Sequence, residues 1–126
     1  MRPGGIHHVS INVSDVESAL RFYVDVLGLT ARTDRPDFGF GGAWLDLGGE
    51  QVHLIEGRVP DKLGQHFAIV VDDLAATVDE LRGRGLEVRD PTPVGGNAQT
   101  FVYDPSGNMV ELHEVGGAPK FTAVAR

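Results

Sequence analysis

The side chains best suited to acid–base or ligand chemistry near neutral pH are imidazoles, and this chain has five: His7, His8, His53, His66 and His113. It has no cysteine, which excludes a thiolate nucleophile, a thiolate metal site and a disulfide framework. Spacing narrows the five. His8 and His66 lie 58 residues apart, and the same offset relates Ile11 to Ile69, Val13 to Val71 and Asp15 to Asp73. It also carries GGEQVHLIE (48–56) onto SGNMVELHE (106–114), so that Val52 falls on Val110, Leu54 on Leu112, Glu56 on Glu114 and His53 on Glu111. Two separated blocks agreeing on one offset mark an internal repeat. Three imidazoles and a carboxylate at repeat-related positions (His8, His53, His66 and Glu111) suit one borderline divalent ion such as Zn, Ni, Co, Mn or Fe.

The elements that must position these residues follow from the same repeat. Each copy opens on a strand, 6–13 and 66–71, and runs on into an amphipathic helix. In the first helix Ser14-Asp15-Val16-Glu17 reads as a capping box, and Val16, Leu20, Tyr23 and Leu27 form one apolar stripe ending at Gly28. The second follows Asp72 as N-cap, buries Leu74, Val78 and Leu81, and stops at Gly85. Three short strands are expected after each helix: 29–34, 41–47 and 50–56, then 86–89, 98–103 and 108–114. Gly48-Gly49 and Asp104-Pro105-Ser106-Gly107 make the closing turns. The reading is one domain over 1–126: a βαβββ module at 6–57, a second at 66–115, a linker at 57–65 and a tail at 116–126. The tail's FTAVA segment is a candidate cover for a sheet or a partner chain.

Alternation along the strands then selects between neighbouring histidines. Val9, Ile11 and Val13 share the helix-covered face, leaving His8, Ser10 and Asn12 on the other. In the second copy Phe67, Ile69 and Val71 face the helix and His66 leads the opposite face. With Val52, Leu54, Val110 and Leu112 packed inward, His53 and Glu111 turn to the same polar face. His7 falls on the other side, at the strand end, and is assigned no chemistry. His113, two residues after Glu111, shares the ligand face, where it is a candidate to orient that carboxylate or a substrate. Trp44 is a candidate pocket wall, and Arg35, Arg58 and Arg89 are candidates to meet a substrate carboxylate.

Composition limits the partners. A net charge of −7 argues against nucleic acid or an anionic membrane surface. No apolar run is long enough to span a bilayer, MRPGG lacks the apolar core of a secretion signal, and the simplest expectation is a cytoplasmic protein acting on a small molecule.

Paired βαβββ units with ligands on their first and last strands resemble the vicinal oxygen chelate superfamily, which includes glyoxalase I, extradiol dioxygenases, fosfomycin-resistance thiol transferases, methylmalonyl-CoA epimerases and bleomycin-resistance proteins. The resemblance covers 6–115 and rests on IHHVSINVSD, FYVDVLGL, GGAWLDLG, VHLIE, HFAIVVDDL and FVYDPSGNMVELHE. It implies an α+β fold in which the two modules pair into a cupped mixed sheet. It also implies a divalent metal on His8, His53, His66 and Glu111, and a homodimer in which modules exchange between chains. For the glyoxalase I branch the implied reaction is proton abstraction next to a carbonyl, with Glu111 as the base and a metal-stabilised enediolate. The substrate would offer vicinal oxygens, as a thiol adduct does. His53 stands where that branch usually has Glu or Gln. The dioxygenases of the superfamily use a triad that matches His8, His66 and Glu111. The thiol transferases need a basic pocket, whereas 86–118 holds only Arg89, and Phe101 stands where they often have Tyr. Phe101 joins Trp44 and His113 as a candidate substrate contact. A metal-free binding protein is the non-enzyme alternative.

Overall fold

The computed structural model describes residues 1–116; the FTAVA segment of the tail lies outside the described residues. The chain divides into two compact units. The first holds residues 1–63 together with the turn 104–108, and the second holds 64–103 and 109–116.

In the first unit, strand β1 (His8–Val13) lies parallel to β4 (Glu50–Glu56), which pairs antiparallel with β3 (Gly42–Leu47), and β3 pairs with the short β2 (Thr30–Ala31). The sheet order is β1-β4-β3-β2. Between β1 and β2 runs α1 (Val16–Leu20), continued by π-helical turns over Arg21–Val26. The second unit repeats the plan. β5 (His66–Val70) is parallel to β8 (Met109–Glu114), followed outward by β7 (Asn97–Tyr103) and β6 (Thr92–Val94), with α2 (Leu74–Gly83) between β5 and β6. The register repeats as well: His8 sits opposite Gln51 and Ser10 opposite His53, while His66 sits opposite Met109 and Ala68 opposite Glu111. The fold is α+β and glyoxalase-like, and each module is the expected βαβββ.

The cores follow the alternation. Val13, Leu45, Val52 and Leu54 are buried in the first unit, and Ile69, Leu74, Val78, Leu81, Val110 and Leu112 in the second. Each fully buried aliphatic side chain contributes roughly 1.5–3 kcal/mol.

Several local expectations need correction. The N-cap of α1 is Asp15, whose carboxylate accepts from Ser18 N, rather than Ser14 of a capping box. Ser14 instead uses its N–H and hydroxyl on the Ser106 hydroxyl. For α2 the N-cap is Asp73, not Asp72, and it accepts from Ala76 N. The expected stripe Val16–Leu20–Tyr23–Leu27 is only partly buried: the π-helical register turns Ala19, Phe22 and Tyr23 inward, with Val16, Leu20 and Leu27 half-covered. Phe22 and Tyr23 meet edge to face at 5.0 Å. Gly28 and Gly85 do end their helices with positive φ, at 86° and 91°.

Residues 86–89 are not a strand. Their carbonyls are taken by side chains, with Arg82 forking onto Val88 O at 2.6 and 3.1 Å and Thr100 Oγ1 donating to Arg89 O at 2.7 Å. The sheet is instead completed by β6, which turns into β7 at Gly95-Gly96. The expected strand 29–34 shortens to Thr30–Ala31, after which the Arg32 guanidinium is pinned between Asp34 and Asp46.

Candidate metal centre

The two units present the four repeat-related side chains as two pairs of different chemistry. In the first unit His8 and His53 stack ring on ring, centroids 3.9 Å apart and 13° from parallel. Trp44, opposite His53 on the neighbouring strand, stacks on its other side at 4.5 Å. His53 is thus 9% exposed, and its Nε2 meets Gln51 Oε1 at 2.8 Å, leaving Nε2 the proton-bearing nitrogen. Burial lowers the His53 pKa, helped by the nearby His8, His7, Arg32 and Arg35, so this ring is held neutral.

His7 does not stay apart, as strict alternation predicts. It precedes the first strand residue and its Nδ1 reaches His8 Nδ1 at 2.9 Å. One of the two nitrogens donates and the other accepts.

In the second unit a carboxylate lies between two imidazoles. Glu111, 8% exposed, meets His66 Nε2 through Oε1 at 3.0 Å and His113 Nδ1 through Oε2 at 2.6 Å. His66 Nδ1 donates to the Gly64 carbonyl at 2.8 Å. That hydrogen bond raises the His66 pKa, burial works against it, and the Glu111 carboxylate raises it further. Phe101 lies opposite Glu111 in β7 as Trp44 lies opposite His53 in β3. Its ring meets His66 edge-on at 5.5 Å, with the Arg89 guanidinium 5.7 Å above it.

The donor chemistry of the second pair fits a divalent ion. Both nitrogens of His66 face acceptors, the Gly64 carbonyl and Glu111 Oε1, so without an ion the ring donates from both. Loss of the Nε2 proton would free a lone pair beside a carboxylate oxygen, a donor pair that suits a divalent ion. The first pair fits less directly. Lone pairs of two parallel stacked rings do not converge, so His8 and His53 must turn before both can ligate one ion. Among the described residues no group of three or more His, Asp or Glu is placed to hold a metal.

Beside the first pair is a cavity of about 300 Å³, lined by His8, His53 and Trp44 together with Arg35, Phe38 and Phe40. Phe38 and Phe40 stack at 5.6 Å, with Arg35 5.1 and 5.5 Å above their rings. The path of this loop depends on Gly42, since a Cβ there would strike Leu54 O and the Arg35 guanidinium. Trp44 is one wall of this cavity. Arg58 is not among the residues lining it, and its carbonyl accepts from Asn12 Nδ2.

Sequence reasoning missed Gln51, Asn97 and the Phe38–Phe40 pair. Gln51 was within reach, being two residues from His53 on the same strand face. Asn97, whose Nδ2 meets His113 Nε2 at 2.9 Å, required the β7–β8 register.

The model of the family described as "Glyoxalase/Bleomycin resistance protein/Dioxygenase superfamily" matches residues 5–112. A Synechocystis sp. protein named "Probable lactoylglutathione lyase" is 35% identical over 119 residues, covering 83% of this chain and 91% of that protein. An Arabidopsis thaliana protein, "Probable lactoylglutathione lyase, chloroplastic", is 34% identical over 90% of this chain, which spans only 36% of its length. Among solved structures, one described as of a glyoxalase family protein from Bacillus anthracis superposes with a TM-score of 0.80 at 27% identity, covering 90% of this chain and 98% of that one.

Proposed function

The chain belongs to the glyoxalase/bleomycin resistance protein/dioxygenase superfamily, and from that premise we propose that it is a metal-dependent lyase of the glyoxalase I type. One observation carries the reading: a nearly buried carboxylate, Glu111, held between His66 and His113, with His66 fixed by Gly64 so that its Nε2 meets Glu111 Oε1. The relatives named lactoylglutathione lyase, at about a third identity, support the reaction class.

His66 and Glu111 would hold a divalent ion, with His8 and His53 as the other candidate ligands, in a homodimer. The ion would supply Lewis acidity toward the oxygens of a bound α-hydroxycarbonyl thiol adduct. The protein's own residues do the rest. Glu111 takes the proton next to the carbonyl at Oε1 once that oxygen is released from His66, while Oε2 keeps its shorter hydrogen bond from His113. It returns the proton to the neighbouring carbon, while the hydroxyl proton passes to the former carbonyl oxygen, which isomerises the adduct to an α-hydroxy thioester. Trp44 and the Phe38–Phe40 wall hold the apolar part of the substrate and shed water from it.

The test is metal analysis of protein purified without a histidine tag, then thioester formation from glutathione and an α-keto aldehyde after loading with Ni, Zn, Co, Mn or Fe. About one ion per site and metal-dependent thioester are expected. Less than a tenth of an equivalent, a rough bound for a vacant tight site, would refute the reading.

One observation favours a second reading. The His53 ring is sandwiched and its Nε2 engaged, which leaves His8, His66 and Glu111 as an oxygenase-like triad. Dioxygen uptake with catechols under Fe(II), without thioester formation, would replace the first reading by this one.

A further inference from the structure

The Glu111 carboxylate is oriented by a chain of hydrogen bonds that runs away from the proposed site. His113 Nδ1 lies 2.6 Å from Glu111 Oε2, His113 Nε2 lies 2.9 Å from Asn97 Nδ2, and Asn97 Oδ1 accepts from Gly116 N at 2.8 Å. The last contact decides the others. A backbone N–H can only donate, so the Asn97 atom facing it is the carbonyl oxygen and the atom facing His113 is the amide nitrogen, which also only donates. His113 Nε2 must then accept, and the one ring proton sits on Nδ1, where it is donated to Glu111. This is the less common tautomer of a free histidine, imposed here from the backbone at residue 116.

We propose that Asn97 and His113 are positioning residues for Glu111. The backbone fixes Asn97, Asn97 fixes the His113 tautomer, and His113 fixes Oε2, so that Oε1 alone is presented toward His66 and the reacting groups. The inference rests on Glu111 being the proton-moving carboxylate for its purpose, though not for its geometry. Two features separate it from incidental packing. His113 is half-buried and reaches Glu111 from the same strand face, two residues on, so the contact costs no backbone distortion. The first module has no counterpart: Ile55, not a histidine, stands two residues after His53, and His53 leans on Gln51 instead. Only the module that carries a carboxylate carries the clamp.

The experiment reads the clamp in metal-free protein. Long-range ¹H–¹⁵N correlation of the histidine rings, above about pH 8 where an ordinary imidazole is neutral, should show a His113 ring protonated at Nδ1 alone, told apart from His66, whose Nδ1 also carries a proton, by its loss in His113→Asn. A His113 ring protonated at Nε2, or at both nitrogens, overturns the proposal. The second arm measures Co(II) affinity by chelator competition. His113→Leu should weaken it by roughly 10–100-fold, whereas His113→Asn, which places an amide donor where Nδ1 was, should stay within about threefold of the parent. Equal losses in the two variants would show a merely structural side chain and overturn the positioning role. Protein that binds no metal but shows the Nδ1 tautomer would sink the lyase reading and leave the clamp standing.

Discussion

The two modules share a strand order, a register and a helix-stopping glycine, yet they treat their key histidines in opposite ways. Module one stacks His53 between His8 and Trp44 and depresses its pKa by burial. Module two hydrogen-bonds His66 to a carbonyl and a carboxylate and raises its pKa. The same contrast recurs at the strand ends. Glu56 and Glu114, related by the repeat, both accept from the first helical N–H of their own modules, Val16 N at 3.2 Å and Leu74 N at 2.7 Å. Glu56 is exposed, whereas Glu114 is fully buried and its Oε2 has no hydrogen-bond partner among the described residues. A duplicated frame therefore conserves where a side chain points but not what surrounds it, and the surroundings decide its chemistry.

Breaking the comparison begins where the effect is largest. If module two carries the proton transfer, Glu111→Gln should lower kcat of the metal-loaded protein by about 10²–10⁴, while His53→Gln costs at least about tenfold less. Equal losses would mean that the modules share the work. A smaller effect is expected in stability. Glu114→Ala strands a buried N–H at the start of α2 and should cost about 2–4 kcal/mol in urea unfolding, against under about 1 kcal/mol for Glu56→Ala. Similar costs would show that burial does not distinguish the two caps.

The smallest effect concerns the α1 cap. Hydrogen bonds from Ser18 hold the Asp15 carboxyl below the ordinary range. A depressed folded-state value means that the ionised form stabilises the fold. Its contribution is present above about pH 4 and lost as pH falls through the lowered value. Asp15→Asn, also a good cap, should leave the neutral-pH melting temperature nearly unchanged and flatten its decline in acid. An unchanged acid slope would exclude Asp15 as a contributor.

Much of this was readable from residue order. The strands bearing His8, His53, His66 and Glu111, and their shared register, follow from one offset and from period-two alternation, because both are properties of the local chain. What escaped was set by partners distant in sequence. The segment 86–89 has the composition of a strand, but Arg82 and Thr100 take its carbonyls. The N-caps shifted by one residue at both helices because Asp15 and Asp73, not Ser14 and Asp72, present their carboxylates to an amide three residues on. The tautomer chain through Asn97 depends on which strands are neighbours, and no spacing rule reports that.

The turn 104–108 joins two strands of module two yet packs with the first unit. Its Asp104 accepts the hydroxyl of Tyr23, a ring with no exposure, and burial with that neighbouring charge raises the phenol's pKa. Asn108 Nδ2 in the same turn donates to Asn12 O, and Ser106 takes the Ser14 N–H. A gene cut between codons 63 and 64 would thus deprive its first half of three hydrogen-bond partners encoded by the second. The repeat is therefore not cut cleanly at the linker: part of the first unit's hydrogen bonding is encoded after the second unit begins.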